Sequence, residues 1–248
     1  MDIALLLLVA FVPSLIYLVW IRNTERFARE PYRRLIWVFS IGATLSVIIA
    51  ITGELVLMSL FSSNIERVYE LFGRDPNIAT LVLACIIAPL VEELAKALGV
   101  FRVRRAIAEI EDGIVYGAAA GLGFAATENM LYEGSAYLTG GAEAFIATAI
   151  VRILSSALLH ASASSVFGLG IARNALQGRG WLRYYFGAAV MHSVFNLFVS
   201  FGVILQKQLG DTADLIGFMA AFVIAITGIR MVRSKIRELE RSEMQYSG

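Results

Sequence analysis

Seven long apolar runs decide what this chain can fold into; they cover residues 3–21, 35–61, 78–101, 113–132, 145–170, 184–205 and 215–232. A hydrocarbon layer about 30 Å thick is crossed by roughly 20 apolar residues of helix, and inside it every backbone N–H and C=O must be paired within the protein. The expected fold is therefore all-α, a polytopic membrane bundle of about seven transmembrane helices. The second run is long enough to tilt. Composition agrees, with 58% of residues hydrophobic and 17% charged, where soluble domains carry about 45–50% and about 25%. Cys85 is the single cysteine, so no internal disulfide forms, and 4 Pro and 21 Gly without a three-residue period exclude a collagen. A net charge of +1 gives no reason to expect a nucleic-acid partner.

The distribution of charge orients the spans. Arg22, Arg26, Arg29, Arg33 and Arg34 follow the first run, Arg102, Arg104 and Arg105 the third, Arg173, Arg179 and Arg183 the fifth, and Arg230, Arg233, Lys235, Arg237 and Arg241 the last. The alternate connections hold only Arg67, Arg74 and Lys207. The positive-inside rule then expects the N-terminus outside and the C-terminus in the cytoplasm. Met1-Asp2 leads straight into apolar residues with no basic segment and no small-residue cleavage pattern before Trp20, so the first run is expected to remain as a span. With no 20 to 50 residue repeat and no long linker, residues 1–248 are expected to form one integral-membrane domain with a catalytic core at 78–205 and a polar cytoplasmic tail at 233–248.

A charged side chain in mid-span costs roughly 2.5–3.5 kcal/mol or more, so each one asks for a partner or a task. The polar residues within the runs are Glu54, Glu92, Glu93, Lys96, Glu128, Asn129, Arg152, His160, His192 and Asn196. Both histidines of the chain are among them. Measured from the run midpoints, Glu92, Glu93, His160 and His192 lie about three residues toward the basic side, which places them in one layer roughly 4–5 Å from the midplane. Neutral imidazole and carboxylate are the usual ligands of a catalytic zinc, and a further glutamate then serves as general base. Lys96 shares a helix face with Glu92, Ser164 with His160 and Asn196 with His192; Ser164 or Asn196 could hydrogen-bond an imidazole or a substrate carbonyl. Glu128 falls about five or six residues outward of its run's midpoint, at the estimated depth of Glu54 and Arg152, two turns from the layer. The ordinary expectation for Glu54 is a structural pair with Arg152; for Glu128 that pairing and membership of the active layer stand level. Gly113, Gly117, Gly121 and Ala125 recur every four residues, a stripe suited to close helix packing, and Pro89 lies just before the glutamate pair, where it can kink the helix.

These residues carry a resemblance. Glu92-Glu93-Leu94-Ala95-Lys96, the segment 111–117 beginning Glu111-Asp112-Gly113, the segment 121–129 ending Phe124-Ala125-Ala126-Thr127-Glu128-Asn129, then His160 and His192, are similar to the PrsW family of intramembrane proteases. That family is similar in turn to the CAAX prenyl endopeptidases and to the Aph subunit of gamma-secretase. The resemblance implies that Glu92 or Glu93 activates water and that His160 and His192 bind metal or stabilise the oxyanion, with Asn196 assisting. Glu128 stands where the CAAX relatives have histidine and is a candidate third ligand. The resemblance further implies cleavage of a single-pass, membrane-anchored anti-sigma factor, the first cut of a stress response, in the plasma membrane of a prokaryote.

The leading expectation is thus peptide hydrolysis in or near the bilayer, with Glu92 and Glu93 acting on water and zinc on His160, His192 and a carboxylate such as Glu128, supported by Lys96, Asn129, Ser164 and Asn196. A metal-free mechanism, with glutamate as base and imidazole as acid or oxyanion donor, stays open because there is no His-Glu-x-x-His helix. Two alternatives are a non-catalytic scaffold resembling the Aph subunit and a proton-coupled transporter.

Overall fold

The computed structural model describes residues 2–27, 29–72, 74–75, 77–210 and 212–247. The described residues are helical apart from short connections. In chain order the helices are α1 (Ile3–Arg22), α2 (Tyr32–Ile41), α3 (Val47–Ser62), α4 (Ile65–Phe72), α5 (Ile78–Val82), α6 (Ala88–Val103), α7 (Ile110–Leu154), α8 (Ser156–Gln177), α9 (Leu182–Val199), α10 (Phe201–Leu209) and α11 (Thr212–Ser247). π-helical turns at Gly42–Ser46 and Leu83–Ile87 join α2 to α3 and α5 to α6. Among the described residues, six continuous helical stretches are long and apolar enough to cross a membrane. The seven apolar runs map onto six because the fourth and fifth share one stretch, Ile110–Gln177.

That stretch is a hairpin. Gly141 inside α7 has φ 71° and ψ −158°, a conformation that side chains with a Cβ rarely adopt, and the chain reverses there. The two arms then meet backbone to backbone. A Cβ at Gly117 would stand 2.2 Å from the Ser164 carbonyl oxygen, and one at Gly121 would stand 2.2 Å from that of His160. The small-residue stripe is therefore a packing surface, and it lies against the turns that carry His160 and Ser164. A second break at Ser155 (φ −124°, ψ −64°) separates α7 from α8.

Residues 111–126 of α7 are all buried, which makes this glycine- and alanine-rich segment the axis of the molecule. Around it the distribution of polarity is that of a membrane protein. Leu8, Ile48, Leu55, Ile146 and Val190 are exposed, whereas Glu93, Lys96, Ser162 and Glu133 are completely covered. The polar groups were expected inside the runs, and the bundle folds them inward.

At the end of the bundle that carries most of the arginines, the connection between α1 and α2 is tied down from three directions. Arg22 Nε donates to the Glu30 carbonyl at 2.7 Å, and the Tyr116 hydroxyl donates to the Glu30 carboxylate. Glu25 Oε2 accepts from the Glu30 backbone N–H at 3.0 Å. Asp112, in the first turn of α7, accepts from the N–H groups of Ala108 and Glu109 at 2.7 and 3.0 Å, closing a capping box with Glu109. From α11, Arg233 Nε donates to Thr24 Oγ1 at 2.8 Å and stacks on Trp20, and Glu240 Oε1 accepts the backbone N–H groups of Arg26 and Phe27. The polar tail is therefore a continuation of α11, and part of it packs: Ile236 and Glu240 are buried. Burial raises the pKa of Glu25 to about 8, Asp112 and Glu30 adding to the rise against the pull of the Glu30 N–H and of Arg22. Burial also raises Glu30, opposed by its bond from Tyr116.

Candidate active site

α6 brings three of the sequence-derived residues to the bundle interior. The π turn Leu83–Ile87 and Pro89 set its start, and the Ala84 carbonyl inside that turn accepts from Asn196 Nδ2 at 2.7 Å. Asn196 thus ties α9 to the widened turn, a task that helical spacing alone did not reveal. About two turns on, Lys96 has no exposed surface, and its ammonium donates to Glu92 Oε2 at 2.9 Å, to Glu93 Oε1 at 2.9 Å and to His160 Nδ1 at 2.7 Å, with the Phe124 ring 4.2 Å away. A lysine flanked by two carboxylates and an imidazole neutralises charges that burial would otherwise make costly.

The two glutamates are placed differently. Glu93 is fully buried, its Oε1 also meeting His192 Nδ1 at 3.1 Å and its Oε2 accepting from Ser164 Oγ at 2.9 Å. Ser164, expected beside His160 or a substrate carbonyl, instead holds Glu93. Glu92 lines a cavity of about 420 Å³ whose wall also includes Glu54, Glu128, Arg152, His160 and His192. The His160 and His192 rings stand 4.9 Å apart and nearly perpendicular. One ligand atom from each of Glu92, His160 and His192 lies within 4.8 Å of the other two, a grouping that could hold a metal ion.

Hydrogen bonding constrains the tautomers. An ammonium on His160 Nδ1 makes that atom an acceptor, so Nε2–H donates to Glu128 Oε2 at 2.8 Å. His192 Nδ1–H donates to Glu93, which leaves Nε2 as its lone-pair nitrogen. Two imidazoles and a carboxylate fit zinc as a donor set. A metal on this trio would have to take His160 Nδ1 from Lys96, or Nε2 from Glu128 once that nitrogen has lost its proton.

Glu128 reaches the layer, contrary to its estimated depth. α7 continues as helix well past residue 132, so the midpoint of the apolar run misplaces the helix in the bundle. Arg152 holds Glu128 Oε2 at 2.7 Å, Asn129 Oδ1 at 2.7 Å and Ser156 Oγ at 3.1 Å, and its guanidinium stacks 4.0 Å from the Tyr132 ring centroid. The expected pair of Arg152 with Glu54 does not form, because Glu128 takes that position. Phe124, Tyr132 and Ser156 are site residues that the polar inventory passed over; Phe124 was visible only as the first letter of the block ending in Glu128-Asn129.

The chain was compared with known proteins. A family profile described as PrsW family intramembrane metalloprotease matches residues 30–227. Protease PrsW of Clostridioides difficile (strain 630) is 38% identical over 131 residues, 51% of this chain and 50% of that protein, so the chain spans about half the length of the curated relative it matches. No solved structure matches. The match to the profile covers all of the residues just described, from the strap at Glu30 through Glu92 and Glu93 to Asn196. The chain belongs to the PrsW family of intramembrane metalloproteases.

Proposed function

We propose that this chain is an endopeptidase that hydrolyses a peptide bond of a single-pass, membrane-anchored protein within the bilayer, and that Glu92, His160 and His192 form its metal centre. One observation carries the reading: a carboxylate and two imidazoles converge within 4.8 Å on the wall of a cavity enclosed by membrane-spanning helices. The relative named a protease and the resemblance of the motifs support it, and an anti-sigma factor is the substrate the resemblance favours.

Zinc held by Glu92, His160 and His192 would acidify water and polarise the scissile carbonyl. Glu93 accepts the Nδ1 proton of His192 and so fixes its tautomer, leaving on Nε2 the lone pair that a metal would take. Ser164 and Lys96 hold Glu93 in that orientation, and Lys96 also offsets the charge of Glu92. Glu128, on the cavity wall and fixed by Arg152, takes a proton from the attacking water and returns it to the leaving amine nitrogen. The arginine-rich end faces the cytoplasm of a prokaryotic cell, with the N-terminus outside, and residues 78–205 form the catalytic core.

The test is metal content and cleavage of membrane-anchored peptides by the detergent-purified chain. About one zinc per chain is expected, lost in Glu92→Gln and in His160→Ala/His192→Ala. Glu128→Gln keeps the metal and loses about 10²–10⁴ in rate. Full cleavage by Glu92→Gln, or by a folded chain stripped of metal, would overturn the assignment.

A further inference from the structure

Glu54 is the cavity residue that the mechanism leaves unused. It sits on α3 next to Gly53, and Gly53 packs on Val91 of α6 so closely that a Cβ would stand 2.8 Å from Val91 Cγ1. This crossing brings the residue after Gly53 and the residue after Val91 to one wall of the cavity, where Glu54 and Glu92 both appear. Among the described residues Glu54 forms no hydrogen bond and no ion pair, although it is only partly exposed. The two cations of the layer are bonded to other groups. Lys96 is bonded to Glu92, Glu93 and His160, and Arg152 to Glu128, Asn129 and Ser156.

A carboxylate in a membrane span with no hydrogen bond or ion pair of its own is a candidate for contact with something that arrives from outside. The wall beside it is apolar, formed by Val47, Ala50 and Ile51 of the same helical stretch. An apolar strip ending in a lone carboxylate matches one kind of side chain, a long aliphatic stem with a cationic head. We infer that Glu54 is a specificity subsite that accepts the ammonium or guanidinium of a lysine or arginine in the substrate segment, with the stem against α3. The inference rests on the reading of this cavity as a peptide-binding site and adds to it a substrate class: segments with a basic residue close to the scissile bond. Glu54 touches the substrate side chain, not the reacting bond, so its substitution alters which peptides bind and leaves the metal in place.

The probe is an apolar transmembrane peptide in which one lysine is moved position by position, with norleucine and glutamate at the same positions as references. Binding is measured on the full chain carrying Glu128→Gln, which keeps the metal and slows turnover. At one position lysine should bind about tenfold more tightly than norleucine, the factor expected of a hydrogen bond to a charged group. Adding Glu54→Gln should erase that difference, and Glu54→Lys should shift the preference to glutamate. A flat profile across all positions, or a lysine preference unchanged by Glu54→Gln, overturns the subsite. Cleavage by the chain with Glu128 intact separates the two readings. Hydrolysis with a flat binding profile removes the subsite and keeps the protease, whereas selective, Glu54-dependent binding without hydrolysis keeps the subsite and removes the protease.

Discussion

Glu92 has one oxygen on Lys96 and its carboxylate on the cavity wall, whereas Glu93, the next residue, has both oxygens engaged and no exposed surface. A helix turns about 100° per residue, so adjacent side chains on α6 face different neighbours. The sequence reading treated the two as one pair. Only the positions of α8 and α9 separate them, because Ser164 and His192 hydrogen-bond Glu93 and not Glu92. Lys96 binds these groups together, and removing one partner of a buried ion pair leaves an uncompensated charge. Lys96→Met should therefore lower stability by about 3–5 kcal/mol, read as thermal unfolding in detergent, and combining it with Glu93→Gln should recover part of the loss. Equal stability of Lys96→Met and the parent chain would show that the ammonium contributes nothing to the layer.

At the scale of elements, the α7–α8 hairpin sets the depth of His160. Gly121 lies against the His160 carbonyl with no room for a methyl group, since a Cβ there would stand 2.2 Å from that oxygen. Gly121→Ala should force the helices apart, cost about 1–3 kcal/mol and displace His160. Gly134, on the same helix, has only Leu6 Cδ2 at 3.7 Å, so Gly134→Ala should be neutral or stabilising by about 0.5–1 kcal/mol. Thermal unfolding of the two variants side by side checks the contrast. The stripe at Gly113, Gly117 and Gly121 was legible because small residues at intervals of four have one common use in a membrane. The reach of Glu128 was not, since hydropathy marks where lipid-compatible residues stop and not where a helix stops. The strap over residues 23–31 was equally hidden, because its bonds go to backbone groups and to residues far away in sequence. That strap carries its own pH dependence. Glu25 is raised from 4.5 to about 8, so the folded state keeps a proton that the unfolded state releases. Its contribution is complete below pH 4.5 and is lost as pH rises toward about 8. The unfolding temperature should fall across that window, with Glu30 acting in the same direction, and Glu25→Gln should flatten the fall.

Over the whole molecule, arginines gather at one end and the polar layer lies inside, while large aliphatic side chains cover the outside. The helical class and the membrane setting were readable because lipid reverses the usual rule of what is exposed, and long apolar runs have few other uses. Fusing a reporter that is active only in the cytoplasm after Arg183 should give signal, and the same reporter after Lys207 should give none. The opposite pattern would invert the orientation proposed from the positive-inside rule.

The bond from the Arg26 N–H to Glu240 spans 214 residues of sequence. During synthesis the connection between α1 and α2 is made early, and its tie to α11 cannot form until those 214 residues have followed it. The helices carrying Glu92, His160 and His192 all lie within that interval. Closure of the strap is therefore a record of completed assembly: a chain arrested before α11 has its glutamates and histidines in the membrane with its first connection still untied.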